Sequence, residues 1–313
     1  MNNKAVSVAW LLALAALLAA PALVYPVLVM KVLCFVLFAC AFNLLLGYTG
    51  LLSFGHAAFF GAAAYVAGHA IKVWELSPLA GIAVGTLAAT ALGWAVGALA
   101  IRRQGIYFAM ITLALAQLMY FIFLRAPFTG GENGLQGVPR GTLFGLDLAD
   151  DYTLYYVFAA LFAAAFWLIR RTIHSPFGQT LKAIRENEAR AVSLGYDVDR
   201  YKLLAFVLSA GLAGLAGALK TLLFGFATLT DVHWHTSGEV VLMTLLGGMG
   251  TVFGPVVGAS VVVLLQTELA DKAGSMVTVI MGLLFVFCVL AFRRGIVGEG
   301  MALYRRMIGV KTR

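Results

Sequence analysis

Polar side chains that could bind or pass a solute occur singly inside long apolar segments of this 313-residue chain. An ionisable side chain near the centre of a bilayer costs about 2.5–3.5 kcal/mol on insertion scales, so such groups usually face a cavity or a partner. Hydroxyl, amide, imidazole and carboxylate groups in these positions therefore predict the lining of a translocation pathway. The candidates are Asn43, Tyr48, Ser53, His56, Thr112, Gln117, Glu239 and Thr244, together with Thr49 and Gln266.

Each candidate also has a purely structural interpretation. His56 follows Gly55 and could bond a carbonyl group freed by a helix break. Glu239 could cap the start of its helix, because carboxylates are favoured at helix N-termini. A route lined mainly by small and apolar side chains with a few hydroxyls suits a zwitterion with a hydrophobic side chain. It does not suit a phosphate or a strongly charged ion.

No catalytic or nucleotide-binding pattern accompanies these residues. The sequence lacks the G-x-x-x-x-G-K-[ST] phosphate loop, H-E-x-x-H, G-x-S-x-G and any Cys/His cluster. Cys34, Cys40 and Cys288 lie in apolar runs without metal-ligand spacing, which predicts core packing. His233 and His235 have no third ligand nearby and predict an interfacial aromatic belt rather than a metal site. We therefore expect no enzyme activity, no metal and an energy source outside this chain.

The composition indicates a membrane protein. The chain is 62% hydrophobic and 12% charged, and its apolar surface exceeds what one soluble core could bury. The net charge of +8 comes from basic residues in short loops and at the C-terminus, which is typical of membrane orientation and not of nucleic-acid binding. About 20 apolar residues cross a bilayer as a helix. Such segments lie at roughly 5–20, 27–46, 79–101, 105–125, 152–170, 203–224, 252–270 and 274–292.

Two further apolar segments, 47–68 and 238–250, are interrupted by glycine. Interrupted helices in corresponding positions of two halves point to a pathway between structural repeats. Glycine also serves simply for close packing in membrane helices, and both interpretations stand. Segment 238–250 either crosses the membrane in a bent or partly unwound form or leaves the basic C-terminal tail outside, and we favour crossing. We predict an all-α, polytopic transmembrane bundle of about eight to ten membrane segments. The pairs Gly81–Gly85, Gly93–Gly97 and Gly254–Gly258 predict tight helix contacts, either within the bundle or with another subunit.

The first apolar segment resembles a secretory signal, with a basic start, an apolar run over 5–20 and small residues before Pro21. We favour a retained first span, because further spans follow at once. Cleavage would remove one helix and leave the other predictions unchanged.

The long hydrophilic stretch of the chain, residues 174–202, is called the polar island below. From Arg170 to Lys202 there are seven Lys or Arg residues and four acidic residues. The positive-inside bias places this stretch in the cytoplasm together with 102–103, and the acid-containing loop 126–151 outside. Because this stretch is exposed to water, we expect it to be the place where the protein docks a partner protein.

The polar island also carries helix signals. Ser175 and Pro176 suit the N-cap and the first helical position, and Gly195 suits a helix end. They predict one amphipathic helix, in which Glu186 pairs with Arg190 four residues later. Leu181, Ile184, Ala191 and Val192 are predicted to lie near one side of it.

Three stretches together resemble one known family. They are GYTGLLSFGHAAFFGAAAYVAG at 47–68, GQTLKAIRENEARAVSLGYD at 178–197 and GGMGTVFGPVVGA at 247–259. They resemble the permeases of ATP-binding-cassette importers for branched-chain and other hydrophobic amino acids, in the LivM-type branch. The resemblance implies a single permease domain over 1–313 in the bacterial inner membrane, with a cytoplasmic coupling segment at about 171–202 and a periplasmic loop at about 126–151.

The resemblance also implies partners. They are a homologous second permease, two cytoplasmic ATPase subunits that bind ATP and Mg, and a periplasmic substrate-binding protein; this chain itself would bind no cofactor. The residues implied in coupling to the ATPase are Gly178, Ala183, Arg185, Glu186, Asn187, Glu188, Arg190 and Gly195.

Other functions remain open at this point. Urea and short-chain amide importers share the same architecture, and region 126–151 offers no motif for specificity. A stand-alone secondary transporter would need ionisable residues deep in its helices, and the sequence has few. A membrane enzyme would need a set of catalytic residues, and the sequence contains no recognised pattern of this kind.

Overall fold

α-Helices form nearly all of the computed structural model, which describes residues 17–143, 145–276, 279–280, 282–283, 286 and 295–300. Residues 17–23 are helical and precede the labelled helices. These are α1 (Pro26–Thr49), α2 (His56–Lys72), α3 (Pro78–Ala100), α4 (Ile106–Arg125), α5 (Asp151–His174), α6 (Pro176–Glu186), α7 (Glu188–Ser193), α8 (Val198–Phe224), α9 (Trp234–Gly247) and α10 (Gly254–Ala273). Strands β1 (Thr142–Leu143) and β2 (Leu146–Asp147) form an antiparallel hairpin. Short 3-10 helices cover Pro127–Thr129, Gly131–Asn133, Leu229–Asp231 and Gly274–Met276.

The predicted all-α membrane fold is confirmed. Within the described residues, the five helices α1, α3, α4, α5 and α8 have 20 to 27 residues and are apolar enough to cross a membrane. At 1.5 Å per residue they are about 30–40 Å long, enough for a hydrocarbon core of about 30 Å. The predicted spans from 27–46 to 203–224 coincide with these helices, and the span at 252–270 lies in α10. Most of the spans 5–20 and 274–292, Cys288 and the basic tail lie outside the described residues.

The bundle has two distinct ends. The basic end carries the α3–α4 connection at 101–105 and the polar island, which meet where Gln104 donates to Glu188. The hairpin end carries residues 126–150, held by a bond from Lys72 to the carbonyl oxygen of Gln136 and by the Arg140–Asp151 ion pair. The separation of 102–103 and the island from loop 126–151 agrees with the orientation that the charges predict.

Small residues let the central helices pack closely. A Cβ added to Gly217 of α8 would collide with the carbonyl oxygen of Phe60 in α2, so these two backbones are in contact. The three G-xxx-G pairs make the predicted tight contacts, and these are with neighbouring helices of the same chain. Gly81 and Gly85 lie against Ile71 and Ala67 of α2, Gly93 and Gly97 against Ala210 and Phe206 of α8, and Gly254 and Gly258 against Gly247 of α9.

Both predicted breaks are present. Helix α1 ends at Gly50, whose φ of 77° is a left-handed value that suits glycine, and residues 50–55 are not helical. Helix α2 then begins inside the bundle at His56, which contacts Ser209 of α8. The second break follows Gly247, where Gly248 has a φ of 115° and residues 248–253 are not helical.

The segment 238–250 crosses the bundle in the bent form that was predicted. Helix α9 starts at the hairpin end, where His233 contacts the ring of Tyr120. Its 14 residues cover about 21 Å. The non-helical residues after Gly247 complete the crossing, because Gly250 contacts Asn43 and approaches Arg185 at the basic end. Gly295 packs against Gly248, so the chain has returned to the basic end there.

Candidate coupling site and pathway

The polar island contains two helices where one was predicted. Ser175 caps α6 as expected, because its hydroxyl accepts the Gly178 N–H at 3.3 Å. Gly195 has a φ of 85° and ends the helical part, as expected. The helix nevertheless breaks at Asn187, which is extended (φ −157°, ψ 95°) and whose side chain accepts the Arg190 N–H at 3.0 Å. An asparagine side chain can replace a helical backbone bond in this way, and Asn187 caps α7.

The break changes two predicted contacts. Glu186 and Arg190 lie on separate helices, and neither forms an ion pair within the described part of the chain, so the predicted pair is wrong. Val192 is 57% exposed, while the other three predicted apolar positions, Leu181, Ile184 and Ala191, are buried. The exposed carboxylate of Glu186 is therefore available to a partner.

Glu188 anchors the second half of the island to the bundle. Its carboxylate lies 2.7 Å from the ammonium group of Lys202 in α8 and accepts a 2.7 Å bond from Gln104. The side chain of Lys202 is only 3% exposed. Because removing one partner of a buried ion pair leaves an uncompensated charge, this contact holds α7 firmly against α8 and the α3–α4 connection.

Arg185 anchors the first half at the two helix breaks. Its guanidinium donates a hydrogen bond to the carbonyl oxygen of Gly47 near the end of α1. It also lies beside Gly250 in the second break, where an added Cβ would stand 3.2 Å from its Nη1 atom. The ammonium group of Lys182 lies 5.6 Å from the ring centre of Tyr48, a cation–π contact on the same turn. Helix α6 thus contacts both interrupted segments.

Asn43 joins helix α1 directly to the second break. Its amide donates to the carbonyl oxygen of Thr251 at 2.9 Å and its oxygen accepts the Gly250 N–H at 2.9 Å. The side chain is 2% exposed. The residue satisfies two backbone groups that the break after α9 leaves without helical partners, which is a structural role whatever else it does.

His56 bonds to the neighbouring helix α8. Its Nε2 atom lies 2.8 Å from the hydroxyl oxygen of Ser209, and this hydroxyl donates to the carbonyl oxygen of Ala41 at 2.6 Å. Because the Ser209 proton points to Ala41, Nε2 of His56 is the donor, and its buried Nδ1 has no hydrogen-bond partner in the described structure. The structural interpretation had His56 bonding a carbonyl group freed by the helix break. The imidazole instead bonds the hydroxyl group of Ser209.

Of the other pathway candidates, two bond the backbone of the first break and three lie elsewhere. The hydroxyl of Ser53 accepts the Gly55 N–H at 3.2 Å, and the hydroxyl of Thr112 accepts the Phe54 N–H at 3.2 Å. Thr244 donates to the carbonyl oxygen of Val240 in its own helix. Tyr48 is buried, and Gln117 is half-buried on α4. A pathway role for these residues stays a prediction.

Glu239 does not cap its helix, because it is the sixth residue of α9 and His233 occupies the N-cap. Its carboxylate instead accepts a 3.1 Å bond from Gln266 of α10.

The histidines at the start of α9 show no sign of a metal site in the part of the chain that the structure describes. Burial and, second, the neighbouring His235 lower the pKa of His233 from its ordinary value. No group of three potential metal ligands occurs among the described residues.

Sequence reasoning missed Lys31, which donates a 3.0 Å bond to the hydroxyl of Thr267. The available signal was its position, since Lys31 is the sole charged residue in the apolar run 27–46. It also missed the buried ion pair of Lys220 and Asp231, 2.7 Å apart, at the hairpin end.

A cavity of about 440 Å³ adjoins the first break. One side of it is lined by Gly50, Leu51, Leu52 and Phe54, and the other by Gly105, Ile106 and Ala109. It contains none of the predicted pathway side chains.

Comparisons with known proteins give one consistent result. Residues 26–289 match the family model described as branched-chain amino acid transport system / permease component. The high-affinity branched-chain amino acid transport system permease proteins LivM of Salmonella typhimurium and Escherichia coli are each 29% identical over 266 residues, which cover 76% of this chain and 61% of each relative. The autoinducer 2 import system permease protein LsrC of Salmonella choleraesuis is 34% identical over 143 residues, 42% of this chain and 39% of the relative. The chain thus spans about 61% of the length of the LivM relatives. No solved structure matches it.

Proposed function

Because the chain belongs to the family of branched-chain amino acid transport permease components, we propose that it is the transmembrane subunit of an ATP-binding-cassette importer for branched-chain and other hydrophobic amino acids. The predicted inner-membrane location agrees with the LivM relatives and with the five helices long enough to span. The contact of α6 with both interrupted segments supports the transport mechanism best.

In this mechanism, cytoplasmic ATPase subunits hold α6 and α7 through the exposed face that includes Glu186 and Arg190. ATP and Mg are bound by those subunits, because the sequence of this chain has no phosphate loop. A displacement of α6 acts on Gly47 through the hydrogen bond from Arg185. It also acts on the second break, because Gly250 lies beside the Arg185 guanidinium. The non-helical residues 50–55 and 248–253 take up the change in backbone angles, and the bundle moves between inward and outward openings.

The hairpin end receives the substrate from a binding protein. Arg140 fixes the loop 126–150 there, bonding the carbonyl oxygens of Ala149 and Leu223 as well as the carboxylate of Asp151. Hydrogen bonds from Thr153 lower the pKa of the Asp150 carboxyl, which caps α5. This well-bonded loop offers a firm docking surface, and a homologous second permease completes the pore.

Import of another solute is the second candidate function. The similarity to LsrC proteins covers 42% of the chain and favours the same transport mechanism with a different cargo. Urea and short-chain amides belong to the same alternative.

Copurification and uptake test the proposal together. A tagged chain is solubilised from native membranes, its partners are identified by mass spectrometry, and the set is expressed in a strain without native importers. We expect two ATPase subunits and a second permease to copurify, and labelled leucine to enter with ATP. Uptake of urea or autoinducer 2 but not leucine would show that the proposed substrate is wrong. Transport by this chain alone under an ion gradient would overturn the ATP-driven mechanism.

A further inference from the structure

Four polar side chains from three helices form a patch in the hairpin half of the bundle. Lys31 of α1 donates to the hydroxyl of Thr267 in α10 at 3.0 Å. Gln266 of α10 donates to the carboxylate of Glu239 in α9 at 3.1 Å. All four are half-buried in this chain, and the side chain of Glu239 is 30% exposed. We call Lys31, Glu239, Gln266 and Thr267 the polar patch.

The polar patch lies inside the apolar helices at one level. Lys31 is five residues from the start of α1 and Glu239 is five residues from the start of α9, or about 7.5 Å along each axis. Gln266 is seven residues from the end of α10, or about 10 Å. All three helix ends lie at the hairpin end, so a solute arriving from that end meets the patch before the breaks.

The two charges of the patch are near each other without being paired. Lys31 and Glu239 interact electrostatically, but no ion pair joins them within the described residues. Thr267 bonds the Lys31 ammonium, and Gln266 bonds the Glu239 carboxylate, with His235 Nδ1 3.9 Å from the same carboxylate one turn earlier in α9. Three N–H donors on the ammonium and two acceptor oxygens on the carboxylate leave free bonding positions on both groups. The ion pair of Lys220 and Asp231 shows the contrasting arrangement, with direct contact at 2.7 Å and side chains only 9% and 11% exposed.

We infer that the polar patch binds the charged head of an α-amino acid, with Glu239 receiving the α-ammonium group and Lys31 receiving the α-carboxylate. Half-buried apolar residues flank Lys31 one turn away on the same face of α1, Val27 before it and Phe35 after it, and they suit a hydrocarbon side chain. The inference rests on the proposed importer function and assigns a binding site to its substrate. A neutral amide or a sugar-like solute has no pair of opposite charges to match the patch.

Charge removal gives the first test, with the complete importer in vesicles. We expect Lys31→Gln and Glu239→Gln each to lower leucine uptake about tenfold or more, because each removes one charged contact with the substrate. The amount of complex and the ATPase activity stimulated by the binding protein stay at the wild-type level. Lys272→Gln is the matched control, because Lys272 is 78% exposed near the end of α10 and, among the described residues, forms an ion pair with Glu268 alone. Wild-type uptake in both patch variants would overturn the inference.

Chemical accessibility gives the second test and separates a substrate site from a structural contact. In a chain whose cysteines are replaced by serine and that still imports leucine, Lys31→Cys and Glu239→Cys are treated with a membrane-impermeant thiol reagent. We expect both to react, and leucine to slow the reaction while urea and 3-methylbutylamine, which lacks the carboxylate, do not. Leu264→Cys on another side of α10 should stay unreactive. No reaction at either patch position, or equal protection by urea, would overturn the inference.

The two failures are distinguishable. If the wild-type complex imports no amino acid, the proposed function is wrong. If it imports leucine and the patch variants behave as wild type, only the binding site is wrong.

Discussion

The guanidinium group of Arg185 donates a hydrogen bond to the carbonyl oxygen of Gly47, a residue 138 positions earlier in the chain. Gly47 lies in the last turn of α1, where helix carbonyl groups carry partial negative charge and a cation is favoured. The same guanidinium lies beside Gly250. One cation of the polar island therefore bonds the last turn of α1 and lies beside the end of the second interrupted segment.

Arg185→Gln should uncouple transport from ATP hydrolysis. A hydrogen bond to a charged group contributes about 1.5–3 kcal/mol, so its loss should lower leucine uptake about tenfold to a hundredfold. Membrane insertion should be unchanged, because Arg185 is exposed. Arg200→Gln is the control, since its side chain is 84% exposed and its ion pair in the described part of the chain is with nearby Asp197. Uptake and stimulated ATPase activity in vesicles measure the effect, and normal coupling in Arg185→Gln would contradict the mechanism.

Glu186→Lys should weaken binding of the ATPase subunits without destabilising this chain. The carboxylate is exposed and has no ion pair within the described structure, so the substitution affects the docking surface alone. We expect the ATPase subunits to be lost on copurification. Glu132→Lys makes the same charge change at the hairpin end and should retain them. Full retention by Glu186→Lys would remove Glu186 from the docking surface.

Gly195→Pro should disrupt the end of the polar island. The φ of Gly195 is 85°, whereas proline fixes φ near −65°, and proline also removes the N–H that bonds the carbonyl oxygen of Val192. Gly195→Asn is the control at the same site, because asparagine tolerates left-handed angles. We expect uptake to be lost in the proline variant and largely kept in the asparagine variant. Equal uptake would show that this turn does not contribute to coupling.

Asn43→Leu should destabilise the folded chain. It leaves the Gly250 N–H and the Thr251 carbonyl group, both part-buried, without their 2.9 Å partners. Each unsatisfied group costs about 1–3 kcal/mol, so the loss should be about 2–6 kcal/mol. The thermal midpoint of the detergent-solubilised protein measures it. Ser260→Ala removes only a bond within α10 and should change the midpoint little. An unchanged midpoint for Asn43→Leu would contradict the bridging role of Asn43.

Gly217→Ala should weaken the contact between α2 and α8. Its methyl group would overlap the carbonyl oxygen of Phe60, and overpacking of this kind costs about 1–3 kcal/mol or more. Gly238→Ala is the matched control in α9, because nothing lies within 4 Å of its added Cβ. Alanine is the better helix former by up to about 1 kcal/mol, so this control should be neutral or stabilising. The thermal midpoints of the two variants are compared with that of the wild type. An unchanged midpoint for Gly217→Ala would show that α2 can move away from α8 without loss of stability.

Sequence reasoning succeeded where the determining contacts are local. The cap by Ser175 needs only the N–H three residues ahead, and the left-handed Gly195 needs only its own backbone. The spans followed from apolar length alone. The break at Asn187 was also local, and the signal was an asparagine inside a predicted helix, because its side chain competes with the helical bond.

The site itself depends on contacts that sequence spacing does not contain. Asn43 and Gly250 are 207 positions apart, and Lys31 and Thr267 are 236 positions apart. The packing of α1 against α9 and α10 brings them together, and nothing in either segment alone identifies its partner. Lys31 was overlooked because a single lysine near the start of a span is usually explained by extension toward the membrane surface.

The non-helical stretches 50–55 and 248–253 allow the protein to change shape by rotation at single bonds, several of them at glycine. No turn of the long helices has to melt for such a movement. In the proposed transport cycle, the helical hydrogen bonds of this chain therefore stay intact, and the change in backbone angles is confined to these two stretches.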